Sequence, residues 1–437
     1  MWYNKITIPP LKGRFFVSQI TRHCLQSGVH LTHAPAGQFK TSLISISLLT
    51  PLAEETAALH ALLCPVLKRG CEAYPTMRAV SQRLDTLYGG EVHAPVRRIG
   101  ETQCIGLLAK VTGDRFTLDG SAVAAPTLEL LFDLLLHPVT ENGAFSAAYV
   151  DGEKENLKDS IRSERNDKRS YAGKQLLRAM CKSEPYGVSL FGELEAVDAI
   201  TPERLFERYK ALLQSARIEI FYSGSAPLDA LLPAAKAYAA KLPQRSAAPL
   251  PAPVLVAAPA QVRTVTESLD VLQGKLGMGF RAAHSDTAAM MLLNGMFGGS
   301  VTSKLFMHVR EELSLCYYAS SQYDRRKQVI LVHSGIEFAN FEQARDAISA
   351  QLTLLQNGDF DTAELEGARA SLIGALRSYA DSQASLENYW LGQALDGSDR
   401  TPEALAQQLK SVTAEQVIAA AKAVQADTIY FLSGKAV

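Results

Sequence analysis

With 437 residues the chain has room for about two or three domains, each with its own core, so a peptide or a single small binding module is excluded. Lys plus Arg total 44 against 45 Asp plus Glu, and a net charge of −1 leaves no excess to hold a nucleic-acid backbone or an anionic membrane. Hydrophobic residues at 47% and charged residues at 20% describe a well-filled globular chain rather than a disordered one.

The N-terminal stretch MWYNKITIPPLKGRFF has no apolar run followed by a small-residue cleavage site, and nothing later reaches the roughly 18 apolar residues of a membrane span. A cytoplasmic chain is expected. Cys24, Cys64, Cys71, Cys104, Cys181 and Cys316 are scattered without a C-x-x-C pair, which reads as reduced thiols. Residues 43–49 alternate as a strand does, and 57–68 and 127–136 have helical apolar spacing. Between 153 and 165, Glu153, Glu155, Asp159 and Glu164 are interleaved with Lys154, Lys158, Arg162 and Arg165, the pattern of a solvated helix face laced with i, i+4 pairs. Residues 242–259 are rich in Ala and Pro and predict an extended connection. Beyond it, 330–333 read as a strand and 344–355 as a helix.

Residues 200–224 (ITPERLFERYKALLQSARIEIFYSG) and 412–434 (VTAEQVIAAAKAVQADTIYFLSG) repeat one plan. Thr201 or Thr413 caps a helix, Glu203 or Glu415 sits in its first turn, and an alternating strand ends in Ser-Gly. Two homologous halves follow, 1–243 and 260–437, joined by the connection 244–259. Because no βα unit of constant length recurs, the expected fold is α+β, each half a mainly antiparallel sheet with helices packed on one face.

Phosphate-loop, nucleophile-elbow, dinucleotide and H-E-x-x-H motifs are absent. Gly298-Gly299-Ser300 reads as a turn rather than an anion cradle. His60 and Cys64 stand at i, i+4 with Cys71 nearby, a spacing open to zinc, but Cys is among the most buried residue types and Pro65 removes a backbone donor in this turn. Burial is the favoured reading. A thiol nucleophile at Cys64 or Cys316 needs an adjacent histidine, and His60 is the only local candidate.

Residues 297–318, FGGSVTSKLFMHVREELSLCYY, run turn, helix, break and strand. This segment resembles the second-half signature of the inverzincin metallopeptidases, the family of pitrilysin, insulinase and the mitochondrial processing peptidase. The resemblance implies that Arg310 and Tyr317 contact substrate. In the first half, LHALLCPVLKRGC (59–71) is similar to the family's zinc helix, but Ala61, Cys64 and Pro65 stand where H-x-x-E-H has its two histidines and its glutamate. In EKENLKDSI (153–161) Ser160 takes the third ligand's place. Since zinc activates water only when three protein ligands hold it, no metal and no cofactor are expected. LKRG, LDTLYGGEV and SERNDKRSYA resemble a ligand-less bacterial group named for association with the aminopentanol modification of elongation factor P.

The resemblance implies a non-catalytic, peptide-binding subunit without activity alone, paired with an H-x-x-E-H homologue or a second copy of itself. A peptide-binding or scaffold protein that needs no partner is the alternative.

Overall fold

The computed structural model describes residues 20–284 and 286–434. The stretch read for a leader lies outside them. Among the described residues no helix is long and apolar enough to cross a membrane. All six cysteines are free, and only Cys24 is exposed.

Two sheets organise the chain. The first runs Thr21–Gln26, Val29–Pro35, Arg217–Gly224, Thr41–Pro51, Thr102–Thr112 and Glu91–His93, with Val96–Ile99 also paired to Thr102–Thr112. The second runs Arg263–Leu269, Val424–Gly434, Gly274–Ala282, Val329–Ile336 and Cys316–Asp324. Each contains one parallel pair, Val29–Pro35 with Arg217–Gly224 and Arg263–Leu269 with Val424–Gly434, and is otherwise antiparallel. The repeat read from 200–224 and 412–434 is therefore one structural unit used twice. In each copy a threonine-capped helix, Pro202–Ser215 or Ala414–Lys422, leads into the strand that carries the parallel partner. Thr201 accepts from the Arg204 N–H, and Thr413 forms a reciprocal box with Gln416.

Side chains of Thr41–Pro51 alternate between two buried faces. Ile44, Ile46 and Leu48 pack with helices of their own half, Glu54–Lys68, Ala124–Leu136 and Pro202–Ser215. Helices on one face hold within each half. The opposite face is covered by a helix of the other half: Leu43 meets Leu386 and Trp390, and Leu49 meets Leu391, all from Gln383–Leu395.

The exchange is reciprocal. Helix Lys168–Met180, capped by Asp167, lays Leu176, Leu177 and Met180 on the second sheet beside Leu331, Tyr430 and Leu432. Burying each such side chain is worth about 1.5–3 kcal/mol. The close approach needs glycine on the strand beneath, because a Cβ at Gly279 would lie 2.6 Å from the Met180 sulfur and one at Gly277 3.1 Å from Leu176.

Residues 244–259 contain no helix or strand, yet they are pinned. Ser246 and Ala248 donate to the Gln214 and Ser215 carbonyls, and the Val254 N–H donates to Glu101 at 3.0 Å. Pro65 sits inside Glu54–Lys68 without ending it. Burial of Leu59, Leu62, Leu63, Val66 and Leu67 holds the helix across the missing donor.

Candidate functional site

The helix Glu54–Lys68 carries Glu54 and Glu55 in its first turn and Lys68 in its last, charges that complement its dipole. It packs against Ala147–Ser163, and Arg69 clasps Glu153 across the pair at 2.5 Å. These are the two helices on which the resemblance places a zinc site. Ala61 and Pro65 offer no donor atom. Cys64 lies in the apolar core, where burial pushes its thiol far above the usual range. The Ser160 hydroxyl donates to the Asn156 carbonyl at 2.9 Å on the exposed face. The set does not fit the metal. Among the described residues no three His, Cys, Asp or Glu side chains form a group that could hold an ion.

His60 is a core histidine with both ring nitrogens in use. Its Nδ1 lies 2.7 Å from Gln103 Oε1, and Arg208 Nε donates to its Nε2 at 2.7 Å. Gln103 is fixed in turn by donating to the Ala57 and Leu190 carbonyls. Burial first, and then the Arg208 charge, lower the imidazole pKa to about 3. A neutral ring whose lone pair already accepts from an arginine neither ligates a metal nor activates Cys64. Cys71 is also buried, with its thiol pushed up by desolvation.

The acidic run is less uniform than expected. Glu155 and Asp159 make i, i+3 pairs with Lys158 and Arg162. Glu153 and Glu164 instead reach Arg69 and Lys174 on other elements.

In the second half, helix Thr287–Phe297 ends in the turn Gly298-Gly299-Ser300, where a Cβ at Gly298 would lie 2.7 Å from the Ser321 backbone nitrogen. That contact seats the turn on the edge strand Cys316–Asp324. Leu305–Glu312 follows as a π-helix rather than an ordinary α-helix, with the Leu313 N–H donating to the His308 carbonyl five residues back. Ser314, at φ +51°, makes the break before the strand.

Arg310 stands on this π-helix, partly exposed, with its guanidinium 4.6 Å from the Phe306 ring centre and 3.5 Å from Glu311. Tyr317 opens the strand at 61% exposure and donates its hydroxyl to Glu337 at 2.6 Å, a bond that raises the phenol pKa. Burial raises the Cys316 thiol, opposed first by a hydrogen bond with Ser334 and then by the Arg310 charge. The π-helix that carries Arg310 and the strand that carries Tyr317 pack together on one core, separate from that of the helix Glu54–Lys68. Glu337, the acceptor that orients Tyr317, carried no signal in the sequence because it lies 20 residues further on, just past the neighbouring strand.

The profile described as "Peptidase M16 inactive domain" matches residues 199–372. A relative from Bacillus subtilis, named probable inactive metalloprotease YmfF, is 33% identical over 404 residues, 91% of this chain and 94% of its own. The chain belongs to the M16 peptidase family. A conserved protein from Enterococcus faecalis V583 has a crystal structure that aligns with a TM-score of 0.86 at 27% identity, over 96% of this chain and 99% of that one. The M16 inactive-domain structure from Pseudomonas fluorescens shares the fold, with a TM-score of 0.74 at 17% identity, over 96% of this chain and 98% of its own. Within M16, this chain has the duplicated architecture and lacks the donor set of the zinc helix.

Proposed function

We propose that the chain is a non-catalytic, peptide-binding subunit of an M16-type peptidase, presenting Arg310 and Tyr317 to a partner that carries H-x-x-E-H. The supporting observation is the contrast between its two halves. Ala61, Cys64 and Pro65 are sealed in or against the first core, whereas Arg310 and Tyr317 reach the surface, one as a fixed charge and the other as an oriented hydroxyl donor. A guanidinium, and a phenol whose single hydrogen turns from Glu337 to the substrate, suit a peptide carbonyl and the negative charge that grows on it during attack. On this reading the partner's metal performs the chemistry, and this chain supplies one wall of the peptide chamber in the cytoplasm.

Mixing the purified chain with an H-x-x-E-H homologue from the same cell tests the proposal. A heterodimer on size-exclusion chromatography, with peptidase activity absent from either chain alone, is the expected result. Equal cleavage by the homologue without this chain overturns it in favour of a free-standing scaffold.

A further inference from the structure

An open strand edge of the first sheet and the last strand of the second flank one cleft. Among the described residues Val96–Ile99 pairs only with Thr102–Thr112 and leaves backbone donors and acceptors unused on one side, whereas the outer edge of Cys316–Asp324 is met at Ser321, whose N–H donates to the Gly298 carbonyl. Residues of both strands, together with helix Lys168–Met180, line a cavity of about 410 Å3 that includes Arg98, Arg169, Lys174, Leu177, Tyr186 and Asp324. Its size is that of an ordinary ligand site.

The cations here are held in place but not neutralised. The Arg169 guanidinium lies 4.1 Å from the Tyr318 ring centre, and Lys275 approaches the same ring at 5.9 Å. Arg98 stacks on Tyr186 at 4.5 Å and donates to its carbonyl at 2.8 Å. Among the described residues none of Arg98, Arg169 and Lys275 makes an ion pair, whereas Lys174 at the same cleft is paired with Glu164. The nearby carboxylates are committed elsewhere. Asp167 caps its helix by accepting from the N–H groups of Arg169 and Ser170, and from the Ser170 hydroxyl. Asp324 accepts from the Tyr186 hydroxyl and from the N–H groups of Arg326 and Lys327. Burial, and after it the Arg169 charge, push Lys275 and His333 below their ordinary values, with the Asp167 charge opposing the shift at Lys275.

We propose that this cleft binds an extended, carboxylate-bearing peptide segment, with Arg98 and Arg169 receiving the carboxylates. The inference rests on the peptide-binding reading above and names the class of peptide. Arginine forks match carboxylate geometry, and an open strand edge offers the ladder bonds of an added strand. The aromatic and apolar lining of Tyr186, Leu177 and Leu331 favours a peptide over a free inorganic anion.

The test is fluorescence anisotropy of the full chain with an Asp- and Glu-rich labelled peptide and its Asn/Gln twin, at low and high salt. The acidic peptide is expected to bind at least about tenfold more tightly at low salt, a margin of roughly 1.4 kcal/mol. Salt should erase that margin. Arg169→Gln and Arg98→Gln should each remove most of it and leave the twin unchanged. Thermal unfolding of both variants checks that they fold, and Arg169, being exposed and outside either core, keeps the test valid if Arg98→Gln does not. Equal binding of the two peptides, or no effect of Arg169→Gln, overturns the cleft assignment while leaving the subunit proposal standing. Failure of both peptides to bind overturns the cleft assignment, and the heterodimer assay decides the subunit proposal separately. Displacement of the acidic peptide by inorganic phosphate as effectively as by unlabelled peptide makes the cleft a free-anion site and overturns the peptide assignment.

Discussion

Arg97 of the first half donates two hydrogen bonds, at 2.5 and 2.8 Å, to the carboxylate of Glu387 in the helix that the second half lends to the first sheet. The counterpart in the other half joins Arg281, on the second sheet, to Glu184, just beyond the helix lent by the first half. Each exchanged segment is thus locked at its landing site by a buried charge pair, and separating the halves exposes both.

Glu387→Ala leaves Arg97 largely buried without its partner and is expected to cost about 3 kcal/mol of stability in urea unfolding. The pair Arg97→Met with Glu387→Leu should recover most of that loss, since breaking a buried pair costs more than replacing it. If Glu387→Ala is no less stable than wild type, the exchanged helix is not held by this contact.

Acid should weaken the second lock. Lys327 is fully buried and reaches Glu101 and Glu184 at 2.5 Å each, while Arg281 binds Asp427 at 2.8 Å. Burial opposes the charged form of Glu184, but hydrogen bonds from Arg281 and Lys327 outweigh it and hold the carboxyl below its ordinary value. Asp427 is held down in the same way, with Thr428, Arg281 and Arg263 as donors. A carboxyl depressed on folding contributes stability that is complete above its unfolded pKa and is lost as pH falls through the folded one. Wild type should lose stability progressively below about pH 4, and Glu184→Gln should show a flatter decline.

His60 works through a different pH window. Its ring stays neutral in the fold down to a pKa of about 3, whereas the unfolded chain takes up the proton near 6.5. The unfolded state therefore binds more protons between these values, and stability falls as pH drops from about 6.5 towards 3. His333, lowered to about 4, adds to the same decline. An NMR titration in which the His60 ring protonates near its ordinary value would rule out the buried, neutral arrangement.

The purified chain should contain far less than one zinc per molecule by metal analysis, because Ala61, Pro65 and Ser160 provide no ligand set. One tightly bound zinc lost on changing His60 or Cys64 would contradict this and point to a displaced site.

In the complex with a catalytic partner, Arg310→Ala or Tyr317→Phe should lower kcat roughly 100-fold or more, the cost of removing a donor that acts in the transition state. A rise in KM at unchanged kcat would assign them to substrate binding alone. Tyr317→Phe keeps its ring and frees Glu337, so the variant should still fold and assemble. Normal turnover and KM in both variant complexes would reduce the pair to surface residues of the fold.

Features written in short stretches of chain were legible in the sequence alone. The Thr201 and Thr413 caps, the repeated helix and strand, the turn at Gly298 and the loss of ligands at 61, 65 and 160 each depend on a few adjacent residues, whose backbone preferences and chemistry act locally. Identity with the Bacillus subtilis relative extends the same information along 91% of the chain. Tertiary structure alone decided which helix covers which face, because Leu176 and Leu386 are equally apolar whichever sheet they meet, and only the glycines at 277 and 279 and the charges at Arg97 and Arg281 select the landing site. The same holds for His60, whose role is set by Gln103 and Arg208, 43 and 148 positions away. Burial and charge compensation are properties of the assembled neighbourhood, and that neighbourhood is built from segments that no local pattern connects.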